Sequence, residues 1–260
     1  MKHLELGFAD GVASVTLNRP EVRNAFNDEV IAELGAVFLE LGHRPEVRAV
    51  VLAANGPAFC AGADLRWMER MATFSRDENI DDASALARML ELVWRCPKPT
   101  VARVQGDTYA GGLGLVAACD MAVSVEGAGF CLSEVRIGLI PATISPYVVR
   151  AIGARAAHRY FLTAERFDAA EALRIGLVHE VVAPDQLDAR VAHITRHLVQ
   201  AGPEAVKACK QLLHDVVGRE VTPALVQRTV EGIADSRAGA EGREGVRAFL
   251  DKRKPGWLQG

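Results

Sequence analysis

Apolar and polar residues alternate through VASVTLNR (Val12 to Arg19), the pattern of a strand with one buried face. From Asp28 the period changes. Val30, Ile31, Leu34, Val37, Phe38 and Leu41 recur at three- and four-residue spacing, which predicts an amphipathic helix closed by Gly42. RAVVLAA (Arg48 to Ala54) is apolar without a break and predicts a fully buried strand, followed by the turn-rich NGPAFCAGAD. Thr73 to Asp82 is polar and predicts an insert leading into a helix through Leu86, Leu90, Val93 and Trp94. The prolines of CPKPT stop that helix, since each lacks an N–H and biases its predecessor towards extended backbone. Thr100 to Val104 predicts a short buried strand, and MAVSV and GFCL two more. From Ile144 onward the pattern is helical apart from GLVHEVV (Gly176 to Val182), with Pro203 placed as a first-turn proline.

These elements predict an α/β core over residues 1–185 and a helical carboxy-terminal region over 186–260. At 260 residues, the chain can bury a full core. Its formal net charge of −3 gives no reason to expect nucleic acid as a partner. MKHLELGFADG enters alternating residues without a signal-peptide core, and no apolar run is long enough to span a bilayer. Cys60, Cys96, Cys119, Cys131 and Cys209 are scattered, with no CxxC and no metal-ligand spacing. An odd count of this kind suits a reducing compartment, so the expectation is a cytoplasmic protein without a metal site.

Candidate chemistry gathers at two glycine turns. AFCAGAD (Ala58 to Asp64) follows a strand and runs into a helix, and YAGGLG (Tyr109 to Gly114) runs into another. Gly112-Leu-Gly114-Leu-Val-Ala117 also fits a dinucleotide fingerprint, with Glu134 about twenty residues on. Its context argues against that reading. QGDTYA separates the strand from the glycines, and only about two helical turns fit before the strand near Met121. The alternative couples the two turns. Each would present free N–H groups at a helix start, and two such donors converging on one point form an oxyanion hole.

At this point the chain resembles the enoyl-CoA hydratase/isomerase (crotonase) superfamily. LNRPEVRNAF, AFCAGADL, PKPTVARVQG, AGGLGLVAACD, GFCLSEVRIGLIP, ALRIGLVHEVV and AFLDKRKP occur in the family's order along nearly the whole chain. The resemblance implies a spiral of ββα units, a helical carboxy-terminal trimerisation region, and a homo-trimer or dimer of trimers. It implies an acyl-CoA substrate, with coenzyme A as part of that substrate and no separate cofactor. Carried over by position, the oxyanion donors are the N–H groups of Ala63 and Gly111. Ala61, Gly62, Asp64 and Leu65 would line the adenine and pantetheine, Gly112 would hold the chain close, and Lys252 would meet a phosphate.

Family hydratases commonly use two glutamates. The later one is present as Glu134 in LSEVRIG, while the earlier one's position holds Gly114. Three accounts of this departure stay open: a double-bond isomerase with one acid, a hydratase whose single acid serves both proton steps, or a substrate carboxylate that helps to hold water. A non-catalytic acyl-CoA binding protein of the same fold is a further alternative. After Pro141 the family's usual glycine-rich run is replaced by ATISPYVVRAIGARAAHRYFL. That wording is similar to hydratases of branched, carboxylated thioesters such as methylglutaconyl-CoA and isohexenylglutaconyl-CoA, of leucine and acyclic terpene breakdown. Arg66, Arg136 and Arg150 are the candidate partners for a substrate carboxylate. Lys207, Lys210, Arg253 and Lys254 join Lys252 as candidates for the phosphates, Asp107 and Tyr109 stand near the second turn, and Trp67, Met68 and Met71 suggest a pocket wall.

Overall fold

A computed structural model describes residues 1–258. In chain order it begins with the hairpin β1 (Leu4–Ala9) and β2 (Val12–Leu17), then α1 (Asp28–His43). The hairpin turns on Asp10 and Gly11, both with positive φ (50° and 76°), the two-residue turn whose twist suits flanking strands. Next come β3 (Ala49–Ala54), β4 (Ala58–Cys60), α2 (Leu65–Met71) and α3 (Arg76–Trp94). They are followed by β5 (Thr100–Val104), β6 (Asp107–Tyr109), α4 (Gly111–Ala118), β7 (Met121–Val125), β8 (Gly129–Cys131) and α5 (Ser145–Thr163). The remainder is β9 (Phe167–Asp168), α6 (Ala169–Arg174), β10 (Glu180–Val182), α7 (Leu187–Gln200), α8 (Pro203–Val216), α9 (Pro223–Ala238) and α10 (Ala240–Leu250).

Two sheets organise the core. The larger has the order β1-β2-β3-β5-β7-β10 and is parallel beyond the antiparallel β1–β2 pair. The smaller has the order β4-β6-β8-β9, with β4, β6 and β8 parallel. Each of three successive ββα units sends its first strand to the large sheet and its second to the small one. They are β3-β4 with α2 and α3, β5-β6 with α4, and β7-β8 with α5. This is the spiral of ββα units that the resemblance implied. Phe26, Phe38, Phe59, Phe130, Leu34, Leu52, Leu113 and Leu115 lie fully buried between these layers.

Local chemistry explains the elements that the pattern placed and those it did not. Asn27 caps α1 by accepting from the Val30 N–H at 3.0 Å. Most of the polar stretch expected to be an insert is instead the start of α3. Ser75 and Glu78 form a capping box there, and residues 76–81 are polar apart from an exposed Ile80, because that end of the helix faces solvent. Three short strands are missing from the periodicity: β4 inside the turn-rich NGPAFCAGAD, β6 inside QGDTYA, and β9. At three, three and two residues respectively, none is long enough to show an alternation.

In the carboxy-terminal third, α7 packs on β3, β5 and β7 through Leu187, Val191 and Thr195, as a layer of the core. The three helices beyond it bury little: Lys210 in α8, Ala248 in α10 and none in α9. Val226, Val230 and Ile233 of α9 and Phe249 and Leu250 of α10 are exposed. Among the described residues, no helix is long and apolar enough to cross a membrane.

Candidate active site

The three parallel strands of the small sheet finish side by side, and each leads into one part of the site. Cys60 at the end of β4 pairs with Thr108 of β6, and Tyr109 at the end of β6 pairs with Cys131 at the end of β8. Beyond these ends lie Ala61 to Ala63, then Ala110 and Gly111, then Glu134. Asp107 helps to hold β6 on β8: one carboxylate oxygen accepts from the Gly129 N–H at 2.9 Å and from Arg166 at 2.8 Å. The other accepts from the Tyr109 hydroxyl at 3.0 Å, so Tyr109 serves this staple. Burial first, and then this carboxylate, raise the Tyr109 pKa.

The two glycine turns touch. Gly62 has φ +89°, and a β-carbon on it would lie 2.9 Å from Ala110 Cβ, 3.1 Å from the Tyr109 carbonyl oxygen and 3.7 Å from the Gly111 nitrogen. The Phe26 N–H donates to the Gly62 carbonyl at 2.9 Å, and the Asp64 N–H donates to the Phe26 carbonyl at 3.0 Å. Ala63, between them, is bridged to Phe26 in parallel sense, so its own N–H points to the opposite side. Ala110 holds the unusual backbone φ 48°, ψ −122°, a conformation that costs on the order of 1–3 kcal/mol for a residue with a side chain. Its N–H donates to the Cys131 carbonyl at 2.9 Å, which fixes how the chain enters α4. Among the described residues, neither the Ala63 N–H nor the Gly111 N–H donates to a protein acceptor.

The glycines of α4 have different neighbours. A β-carbon on Gly111 would lie 2.3 Å from Phe26 Cζ, so the buried ring requires glycine there. A β-carbon on Gly112 would lie 2.8 Å from the Cys60 carbonyl oxygen; the structure places Gly112 inward, against β4. On Gly114 it would lie 2.2 Å from Ile144 Cγ2 and 2.8 Å from Ile144 Cβ. An isoleucine from ATISPY therefore occupies the space of the missing acid.

Glu134 opens a short 3-10 turn (Glu134–Ile137) that packs against α5. Among the described residues its Oε2 is buried with no hydrogen-bond partner, and burial pushes the carboxyl above its ordinary pKa. A buried carboxyl without a partner is costly, and the low dielectric around it favours the protonated form. Gly138, at φ 78°, closes the turn by donating to the Glu134 and Val135 carbonyls. Arg136 donates to the Ala164 carbonyl at 2.6 Å, and the Cys131 thiol donates to the same oxygen at 3.2 Å. Both contacts pin the Glu134 segment to the end of α5.

Several charged candidates have structural partners. Asp64 is 7% exposed and caps α2 by accepting from the Arg66 and Trp67 N–H groups. It also meets the Arg19 guanidinium at 2.9 Å. Burial alone would raise its pKa, but Arg19 and the two N–H donors outweigh it and hold the carboxyl below its ordinary value. Lys210 is a correction: its ammonium is buried, donates to Asp120 Oδ2 at 2.7 Å and to the Lys98 carbonyl at 3.2 Å. Asp120 Oδ2 accepts from Thr100 as well, so this lysine ties α8 to the start of β5 and β7. Arg253 pairs with Glu244 at 2.7 Å, and Lys207 lies 3.9 Å from Glu204. Lys252 is exposed just beyond α10, which packs on α8 and α9.

Arg150 and Tyr147 belong elsewhere, lining a cavity of about 620 Å³ between α3 and α5 with Trp94; its lining does not include Ala63, Gly111 or Glu134. Trp67 is a core residue, its indole N–H donating to Asp82 at 3.0 Å, and Met71 packs on the same core. Leu65 is 77% exposed beside the first turn, followed by an exposed Arg66 that has no ion-pair partner among the described residues. The residues that sequence reasoning missed are Phe26 and Ile144. Each looks like an ordinary core residue until the glycine against it is located.

The profile of the family described as enoyl-CoA hydratase/isomerase matches residues 7–260. The chain belongs to the enoyl-CoA hydratase/isomerase family. It is 36% identical over 246 residues to a putative enoyl-CoA hydratase of Thermus thermophilus, covering 94% of this chain and 96% of that protein. It is 35% identical over 250 residues to the mevalonyl-coenzyme A hydratase sidH of Aspergillus fumigatus, covering 94% and 90% of the two chains. A crystal structure of a putative enoyl-CoA hydratase/isomerase (crotonase) from Legionella pneumophila superposes with TM-score 0.93. Its sequence is 43% identical, and the match covers 98% of each chain. These relatives are consistent with an enoyl-CoA hydratase-type lyase.

Proposed function

We propose that this family member adds water across the 2,3 double bond of a 2-enoyl-CoA thioester. The observation that carries this reading is the buried, unpartnered carboxyl oxygen of Glu134 beside a pair of glycine turns with free N–H donors. The Ala63 and Gly111 N–H groups hold the thioester oxygen, taking up negative charge as water attacks C3 and the thioester becomes an enolate. Glu134 accepts the proton that water loses and then delivers it to C2. A raised pKa suits that double task, because the carboxyl must hold a proton near neutral pH and release it again. Coenzyme A arrives with the substrate, so no separate cofactor is required. Ala61, Gly62 and Leu65 flank its path, the Asp64 cap fixes the start of α2, and Lys252 meets a phosphate from an adjacent copy.

The acyl group in this reading is branched and carboxylated, as in methylglutaconyl-CoA or isohexenylglutaconyl-CoA. Support comes from the guanidinium of Arg66, beside the first turn and without an ion-pair partner among the described residues, and from the likeness to a relative named for mevalonyl-coenzyme A. The exposed apolar residues of α9 and α10 support assembly into a homo-trimer or a dimer of trimers. Purified protein incubated with methylglutaconyl-CoA, isohexenylglutaconyl-CoA and crotonyl-CoA should consume enoyl absorbance and form the 3-hydroxyacyl thioester. No water addition to any of them removes the reading. Gly114 favours one rival, a double-bond isomerase working with Glu134 alone. Conversion of a 3-enoyl-CoA to its 2-enoyl isomer without hydroxyacyl product decides for that rival.

A further inference from the structure

We propose that Ile144 sets the size limit of the acyl site, by filling the space that a residue-114 side chain would otherwise take. The proposal rests on the functional reading above. Gly111 and Gly114 are three residues apart on α4 and share a face of that helix. Helical β-carbons tilt towards the amino terminus, so a side chain at 114 would lean back over the turn that begins at Gly111. Ile144 Cγ2 stands 2.2 Å from the start of that path, and Leu90 Cδ2 closes it from α3 at 3.5 Å.

Ile144 is 2% exposed and lies immediately before α5, the helix against which the Glu134 turn packs. The rise from Gly111 to Gly114 is on the order of 4.5 Å. A thioester oxygen held at the Gly111 N–H therefore places C2 and C3 of the acyl chain close to the Ile144 methyl groups. The pair has two consequences. No carboxylate can stand at 114 while Ile144 is present, so the site has one acid. Substituents at C3 meet a fixed apolar wall.

The test measures binding of two saturated, unreactive thioesters, butyryl-CoA and 3,3-dimethylbutyryl-CoA, to the wild-type protein and to Ile144→Val and Ile144→Ala. Titration calorimetry gives the ratio of the two affinities in each protein. Removing the bulk of Ile144 should shift that ratio towards the dimethyl chain by about tenfold in Ile144→Ala, the effect of one or two methyl groups in an apolar pocket. Ile144→Val should shift it less, and it guards against a folding defect in the alanine variant. A ratio unchanged within about twofold in both variants, with both thioesters bound, overturns the assignment. A shifted ratio in a protein that hydrates nothing sinks the hydratase reading and leaves Ile144 in place. Failure of the wild-type protein to bind either thioester sinks both.

Discussion

The Ala110 N–H donates to the Cys131 carbonyl at 2.9 Å, which joins the turn presenting Gly111 to the strand that leads to Glu134. This backbone hydrogen bond, together with the β6–β8 pairing and the Asp107 contacts, sets the spacing between the proposed oxyanion donor and the proposed acid. Both lie beyond adjacent parallel strands, so neither position depends on a long loop.

Glu134→Gln should lower kcat by at least about a hundredfold in the hydration assay, the usual contribution of a general acid–base group. The same variant carries a sign for pH. A carboxyl whose folded pKa is raised favours the folded state below its ordinary pKa and loses that contribution as pH rises through the folded value. Thermal melts should therefore show the glutamine variant gaining stability relative to wild type as pH rises from acid to neutral. A difference between the proteins that does not vary with pH would show that the carboxyl does not titrate in this window.

Gly111→Ala drives a β-carbon to 2.3 Å from Phe26 Cζ, so either the ring or the start of α4 must move. Overpacking of this kind costs about 1–3 kcal/mol. Displacing the N–H should also lower kcat by about 10²–10³-fold. Adding Phe26→Leu should recover part of the melting temperature, while activity recovers only if the N–H returns to its place.

Asp64→Ala removes both a helix cap and the partner of a largely buried Arg19. The loss should be about 3 kcal/mol by chemical denaturation. Asp64 has a lowered folded pKa, so its contribution is present above the ordinary aspartate value and is lost as pH falls through the folded value. The acid-unfolding midpoint of wild type should accordingly lie lower than that of the alanine variant.

Lys210→Met leaves Asp120 without its buried counter-ion and should destabilise the protein by about 3–5 kcal/mol. KM for a CoA thioester should stay within about twofold of wild type in the folded fraction. A large rise in KM, with the melting temperature unchanged, would return this lysine to the phosphate-binding set.

Val230→Asp places a charge among the exposed apolar residues of α9. If that face holds copies together, light scattering should report a smaller particle than wild type under the same conditions. An unchanged mass would move the interface elsewhere.

Periodicity was enough for the long elements. Alternation marked β2, three- and four-residue spacing marked α1, and an unbroken apolar run marked β3, because each is long enough to repeat its own burial pattern. β4, β6 and β9 carried no such signal, and the exposed first turns of α3 looked like an insert because helical residues facing solvent need not be apolar.

The sequence by itself determined that two glycine turns precede helices, that Glu134 is present and that position 114 has no side chain. Tertiary structure alone decided that those turns meet at Gly62 and Gly111, that Lys210 is held by Asp120, and that Ile144, thirty residues away in the chain, fills the space over Gly114. The physical reason is common to all three. A residue's type reports what it could contact, while steric occupancy and ion pairing depend on which distant segment the sheets bring against it.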